Sequence, residues 1–499
     1  MRLLLLLAAM ATYTAHAQWF PLWQHRFPAP DFLTGFGDVG TGLDLRNDSL
    51  LVGHSWMNAS STTLFDAPTG QLSWSESAGD TVFHQGGRAF FGGAVLGSER
   101  VAAANGIDVR TRLQMLDGTL LWSLGGGLSD VQFMAGPLVD AAADTACALA
   151  YAGNVLHGFR YDHSGAAGAW QNPQPLPWTG FNACLANDAL LLTAMMDHPN
   201  SFSDVPRLMR LDPATGAVLW AHWLCDTTAF LVNAPAITVP WQGDTVLTAF
   251  TTYTGNVELR LTSGADGSVP WSFTDPLGFT PYLASVAAVP SEGRIYLALD
   301  NGTVMAYTAA GDRLWMDTLY TAAPYKAAMV LANQNRVVGI SAQHQGLPQG
   351  QDFHLRTLDP QNGAVLAQAW VNDSVNTHDL LEDALLHEDR LYLLTAVTFD
   401  TLSILNESTT LMLSAFDLSG STAIQVSDAP SIPIRAVITD GSIRPLMDPA
   451  VRRWMLRDVQ GRLVADGNST FVDAAYAKAD AGRYILFGSD GGNRMLVKP

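Results

Sequence analysis

The hydrophobic pattern is clearest between residues 285 and 318. Ser285–Val289 is a short apolar run, and Pro290–Gly293 turns it. Arg294–Asp300 then alternates apolar and polar positions, as a half-buried strand does. Asn301-Gly302 reads as a two-residue hairpin turn, because both residues tolerate positive φ. Thr303–Thr308 predicts a third strand, Ala309–Asp312 a second turn, and Arg313–Thr318 a fourth strand. Four antiparallel strands in succession make one β-propeller blade. Gly153-Asn154 and Gly255-Asn256 occupy the same middle hairpin elsewhere.

A second pattern repeats through the chain: an acidic residue, a short turn with Gly, then Trp. Asp66 and Gly70 lead to Trp74, and Asp212 and Gly216 lead to Trp220. Shorter forms lead to Trp122, Trp170, Trp271 and Trp315. The turn glycines are 70, 118, 165, 216, 267, 311, 363 and 420. A period of about 50 residues with strand content is the signature of propeller blades. Asp bonds the backbone two residues on and nucleates the turn. Gly supplies positive φ. Trp buries a large apolar area while keeping one N–H for a partner. One such Trp per blade is expected to wedge the seam between neighbouring blades rather than to form a ligand cage.

These motifs resemble the quinoprotein-like β-propeller family, also called PQQ-like repeats, whose consensus is Asp-x-x-Thr-Gly-x-x-x-Trp. Asp66 to Trp74 and Asp212 to Trp220 fit it fully. The resemblance covers about residues 19 to 425 and implies the fold far more than any activity. Eight glycines predict an all-β, eight-bladed propeller over 18–425. Pro21–Arg26 looks like a fourth strand lacking its own three, and is expected to complete the blade built from about 380 to 417. That would remove two free sheet edges.

Charge and composition place the chain. It has 499 residues, 48% hydrophobic and 15% charged, enough apolar material for a large core. The net charge of −19 makes nucleic acid an unfavourable partner. Arg2, the apolar run from Leu3 and the small-x-small Ala15-His16-Ala17 read as a cleavable signal peptide over 1–17. That implies passage through the periplasm to the surface or medium. No other segment is long and apolar enough to span a bilayer. From residue 435 the balance reverses: ten basic and seven acidic residues follow, against 17 and 39 before. A Pro- and Ser-containing linker over 426–434 precedes this module.

Residues 435–499 read as short strands joined by Gly turns. Arg453–Val459, Arg462–Ala465, Arg483–Phe487 and Arg494–Lys498 are the expected strands. The module resembles the C-terminal sorting domain (type A) of type IX secretion cargo. The matching residues include Asp458, Gly461, Gly482, Tyr484, Leu496 and Lys498. The resemblance implies a small Ig-like β-sandwich and, as partner, the type IX export machinery.

Candidate chemistry is sparse. A quinone enzyme of the resembled family would hold a quinone and Ca²⁺ in the propeller centre, and many carry adjacent cysteines there. Cys147, Cys184 and Cys225 are not adjacent, and their spacing matches no metal motif. The densest acid/His run is Asp373, His378, Glu382, Asp383, His387, Glu388 and Asp389. His387-Glu388-Asp389 is expected to be a solvated first hairpin turn rather than a site. No nucleophile elbow, phosphate loop or dinucleotide fingerprint is found. The expectation is therefore an exported, non-catalytic binding or scaffold protein with no cofactor, catalytic or metal site assigned. The alternative is a quinone- or Ca-dependent secreted enzyme.

Overall fold

The computed structural model describes residues 21–27 and 39–419 apart from connecting segments, the longest being 173–180, 198–203, 226–235, 319–327, 345–350, 372–377 and 399–408. Beyond these it describes 437–438, 454–458, 463–479, 482–488 and 493–498. The signal segment and the linker fall outside the described residues.

Eight antiparallel units follow one another, seven of four consecutive strands and the last of three. They span Val39–Ala78, Val82–Gly125, Val131–Asn172, Phe181–Trp223, Ile237–Pro276, Leu283–Thr318, Ala328–Val371 and His378–Asp417. The first strand of each contacts the first strand of the next, and that of the eighth contacts that of the first. The ring is therefore closed, with the first strands innermost. A single parallel bridge, Gln351 to His378, joins the sheets of blades 7 and 8.

The eighth blade has only three strands of its own. Trp23–Arg26 supplies the fourth, with Trp23 opposite Ala415 and Arg26 opposite Met412. The expected closure is thus what the structure contains. Leu22 N donates to Ala415 O (2.7 Å) and Phe27 N to Leu411 O (3.0 Å), extending the pairing at both ends. Trp23 and Phe27 pack into a cluster with Leu50, Phe65, Tyr392 and Leu413.

The sixth blade follows the sequence pattern closely. Its turn at Pro290–Glu292 is a 3₁₀ turn stopped by Gly293 at φ 61°, and the middle turn uses Gly302 at φ 79°. Ile295, Leu297, Leu299, Met305 and Tyr307 face the fifth blade in one cluster, while Tyr296, Ala298, Val304 and Ala306 face the seventh in another. Strand alternation thus feeds both neighbouring seams, which explains why the second and third strands are apolar on both faces.

The C-terminal module departs from expectation. All four expected strands form, at Trp454–Asp458, Leu463–Gly467, Gly482–Gly488 and Asn493–Lys498, and Val437–Ile438 joins as a parallel edge. Among the described residues, however, the layer covering this single sheet is a helix, Ser469–Lys478, and not a second sheet. Its Val472 and Tyr476, four residues apart, bury against Leu456, Ala465 and Leu486. Asn468 caps it by accepting from Phe471 N (2.9 Å). The Ig-like sandwich is therefore not seen; reading only strands and Gly turns overlooked the cap and the i, i+4 apolar pair.

Deleting residues 18–27 should expose the free edge of Thr409–Asp417 and an apolar seam. We expect a lowered Tm and concentration-dependent aggregation on size-exclusion chromatography; an unchanged Tm and a monomeric profile would show that closure contributes nothing.

Candidate functional site

The repeat residues act together across seams. The Asp of most of these turns accepts backbone N–H groups: Asp66 from Thr69 (3.0 Å), Asp212 from Ala214 (2.7 Å), Asp359 from Gln361 (2.7 Å); in blade 6 the Thr308 hydroxyl takes this part. The turn so formed meets the Trp of the preceding blade. Trp23 donates its indole N–H to Ala67 O (3.1 Å), Trp122 to His163 O (3.3 Å), Trp170 to Pro213 O (3.0 Å), Trp220 to Gly264 O (2.9 Å) and Trp315 to Pro360 O (3.1 Å). The indole then lies on the turn glycine. A Cβ on Gly363 would sit 2.7 Å from the Trp315 ring, and one on Gly311 would sit 2.9 Å from Trp271. The glycine is needed twice, for its positive φ and for the space. Gly165 departs from this pattern: its φ is 135°, and the nearest atom to a Cβ there is Leu124 at 3.9 Å, not Trp122. The displaced spacing of Trp170 in that repeat reflects a tighter turn. Gly420 lies outside the described residues.

One seam is different. Between blades 1 and 2 the apolar cluster shrinks to Leu51, Leu64, Phe90 and Val95 beside Trp74. Glu99, 2% exposed, sits at the centre of an ionic group instead. Its carboxylate receives Arg88 (2.8 Å), Arg110 (2.6 Å) and Arg112 (3.3 Å). Arg88 also donates to Thr62 (2.8 Å) and Arg112 to Ser60 (3.2 Å), both on blade 1. Burial pushes the Glu99 carboxyl up, but Arg88, Arg112, the Ser60 hydroxyl and Arg110 outweigh it and hold it at about 2. Its partners are spent on one another, so the group holds a seam rather than offering free ligands. The Trp74 indole N–H is buried there without a hydrogen-bond partner, and Gly118 lies at ordinary contact distance (3.6 Å). Sequence reading missed this cluster because its charges come from three strands. Only the i, i+2 pair Arg110 and Arg112 was a visible signal.

The acid/His run separates on folding. His387 and Glu388 are exposed and Glu388 takes φ 51° in the turn before Arg390, as expected for a solvated hairpin. Asp389 pairs with Arg336 (2.7 Å). Asp373 lies outside the described residues. Asp383 has another role: its carboxylate accepts Leu43 N of blade 1 (2.7 Å), across the inner seam. Asp44 accepts Phe90 N (2.7 Å), Asn182 accepts Thr238 N (3.2 Å) and Ser285 accepts Val330 N (3.3 Å) in the same manner. These inner clasps complement the outer tryptophans. Burial raises both Asp383 and Asp44 above the ordinary carboxylate value, against the lowering effect of the N–H donors.

The two faces of the disc differ. Antiparallel order puts the first and third turns of every blade on one face, and the middle turns and interblade connections on the other. On the first face the longest connection runs from Ser263 to Trp271. On the second, connections run from Arg26 to Val39, Trp223 to Ile237, Thr318 to Ala328 and Thr398 to Thr409. Where this face is described it is ordered by side chains. Asp108 accepts from Gly127 (3.0 Å) and Leu128 (2.8 Å), and Arg207 lies over Trp223 (5.2 Å). Phe279 and Tyr282 are exposed there.

Of the residues that carry the resemblance to a sorting domain, those described lie in the C-terminal sheet. Tyr484 pairs with Asp458 on one side and Leu496 on the other, and Gly482 pairs with Lys498. Gly461 lies outside the described residues. Among the described residues no helix is long and apolar enough to cross a membrane.

Comparison with known proteins agrees with this geometry. A family model described as outer membrane protein assembly factor BamB matches residues 161–347. The Saccharomyces cerevisiae protein Sqt1 is similar in structure, with a TM-score of 0.50 at 12% identity over 80% of this chain and 98% of that one. BamB from Moraxella catarrhalis gives 0.35 at 13% identity over 79% and 99%, and Kluyveromyces lactis Hsv2 gives 0.42 at 10% over 67% and 98%. No curated protein matches the chain. At 12% identity the likeness to Sqt1 is one of fold alone.

Two outcomes test the seams. Trp315→Ala, at a buried ring, should cost about 3–5 kcal/mol in denaturant unfolding, and half-buried Trp220→Ala about 2–3 kcal/mol; equal or negligible costs would contradict the seam role. Asp383→Asn keeps an acceptor for Leu43 N and removes a desolvated charge. A group whose folded pKa is raised stabilises most below its unfolded value and loses that contribution as pH rises through the folded one. The Asn variant should therefore match or exceed the wild type at neutral pH and lose this advantage toward pH 4, measured as Tm against pH.

Proposed function

We propose that the chain is an exported, non-catalytic binding or scaffold propeller. Its partner engages the face carrying the middle turns and interblade connections. The observation that carries this reading is the asymmetry of the disc: the strand ends that flank the long connections lie at one face, while the strand ends at the other are joined by short turns. Chain length that is unneeded for closing blades is the material from which binding loops are made. The match to the BamB family model over 161–347 supports a scaffold role of this kind. The repeat residues and the Glu99 group are committed to seams, which fits the same role.

The C-terminal module supplies the route in this proposal. It has its own apolar core of Leu456, Ala465, Val472, Tyr476 and Leu486. Three strands carrying Asp458, Tyr484, Leu496 and Lys498 lie side by side in its sheet. The type IX machinery would read this module after signal-peptide removal in the periplasm.

Removing residues 435–499 should leave the propeller Tm unchanged and trap the protein in the periplasm of a host with the type IX system. Fractionation checks the second part; equal surface delivery with and without the module would refute the export route. Replacing residues 226–235 and 399–408 with Gly-Ser linkers should leave the Tm within a few degrees and abolish partner recovery. Titration with a quinone and Ca²⁺ should give no saturable absorbance change; a saturable, Ca²⁺-dependent one would favour the enzyme.

A further inference from the structure

The closing strand is the one element of the ring that is not continuous with its own blade. Its inward side carries Trp23, His25 and Phe27 in alternation, and all three lie in the seam with blade 1. The His25 ring meets Phe27 edge-on at 5.0 Å and Phe65 at 4.8 Å. On the far side, Phe27 packs against His54 at 4.5 Å, and His54 is 4% exposed. Two imidazoles therefore flank one phenyl ring inside the seam that closes the propeller.

The charged groups on the surrounding elements are engaged elsewhere. Arg26 alternates to the exposed side of the closing strand. Asp66 accepts Thr69 in its own turn, and Asp417 accepts Ser419. Asp44 and Asp383 accept Phe90 N and Leu43 N at the inner clasps. Arg46, Asp48 and Arg390 lie at the ends of the first hairpins of blades 1 and 8, beyond the strand pairs that hold the closing residues.

We infer that the closing seam is an acid-sensitive latch: protonation of His25, held between the Phe27 and Phe65 rings, releases residues 21–27 from blade 8 while the other blades stay folded. A charged imidazole between phenyl rings loses its hydration. Burial, and then His54, hold the His25 imidazole below its ordinary value. A base lowered in this way is neutral in the closed ring, so its stabilisation is present above the unfolded value and is lost as pH falls through about 6.5 and below. The released strand would be held only by four paired residues and their packing, so local opening precedes global unfolding.

Hydrogen exchange on the full chain at about pH 7.5 and pH 5 tests this, with protection corrected for intrinsic rates. The Leu22 and Phe27 amides, which bond Ala415 and Leu411, should lose protection by at least about tenfold relative to strands Arg294–Leu299 and Thr303–Thr308, since each pKa unit is tenfold. The double variant His25→Phe, His54→Phe should abolish the pH dependence. Equal loss in blade 6, no loss at Leu22 and Phe27, or undiminished loss in the double variant would overturn the inference. If the double variant fails to fold, the wild-type profile decides. A midpoint below the ordinary imidazole value of about 6.5 but above the carboxylate range supports the latch, and one in the carboxylate range near pH 4 overturns it.

Discussion

The architecture depends on one contact repeated at five seams: the indole of one blade laid on the turn glycine of the next. It joins local and long-range structure. Asp and Gly shape the turn within a blade, and the turn then presents a carbonyl and a bare Cα to the neighbouring Trp. Such a turn is completed by the preceding blade, so the turn of blade 1 must be completed by blade 8, whose outer strand is Trp23–Arg26. Trp23 does this, donating to Ala67 O and lying on Gly70 as Trp170 lies on Gly216 and Trp315 on Gly363. The propeller is closed by the same contact that builds it.

The inner rim uses a different device for the same end. Asp383, Asp44, Asn182 and Ser285 each accept a backbone N–H from the next inner strand. The seam between blades 1 and 2 replaces apolar packing with the Glu99–arginine group and leaves the Trp74 N–H without a partner. A buried ion pair is weak evidence for stability, since desolvation offsets much of the attraction. It does impose an alignment, because Arg88 and Arg112 reach Thr62 and Ser60 of the adjacent blade.

The blade count, the closing strand and the structural role of most tryptophans were legible because they rest on residues near one another in sequence. Asp66, Gly70 and Trp74 announce a turn and an outer strand without reference to anything distant. Glu99 was illegible because its partners lie on other strands and in another blade. Asp383 looked like part of a surface cluster, and only the inner seam explains its burial. The helix Ser469–Lys478 was missed although Asn468, Val472 and Tyr476 carry its signals, since a strand pattern on both sides dominated. The face we propose for binding emerged only when antiparallel order put the strand ends flanking the long connections at one side.

The central claim is that Trp and turn Gly act as one unit across each seam. A double-mutant cycle on Trp315 and Gly363, measured by denaturant unfolding, tests it most directly. With Trp315 present, Gly363→Ala must pay both the φ strain and the clash with the indole. With Trp315→Ala in place, only the strain of a non-glycine residue at φ 71° remains, about 1–2 kcal/mol. The account predicts a coupling of at least about 1 kcal/mol, with the glycine substitution costing less once the Trp is gone. Additive costs would show that the two residues act independently and that the seam contact does not organise the ring.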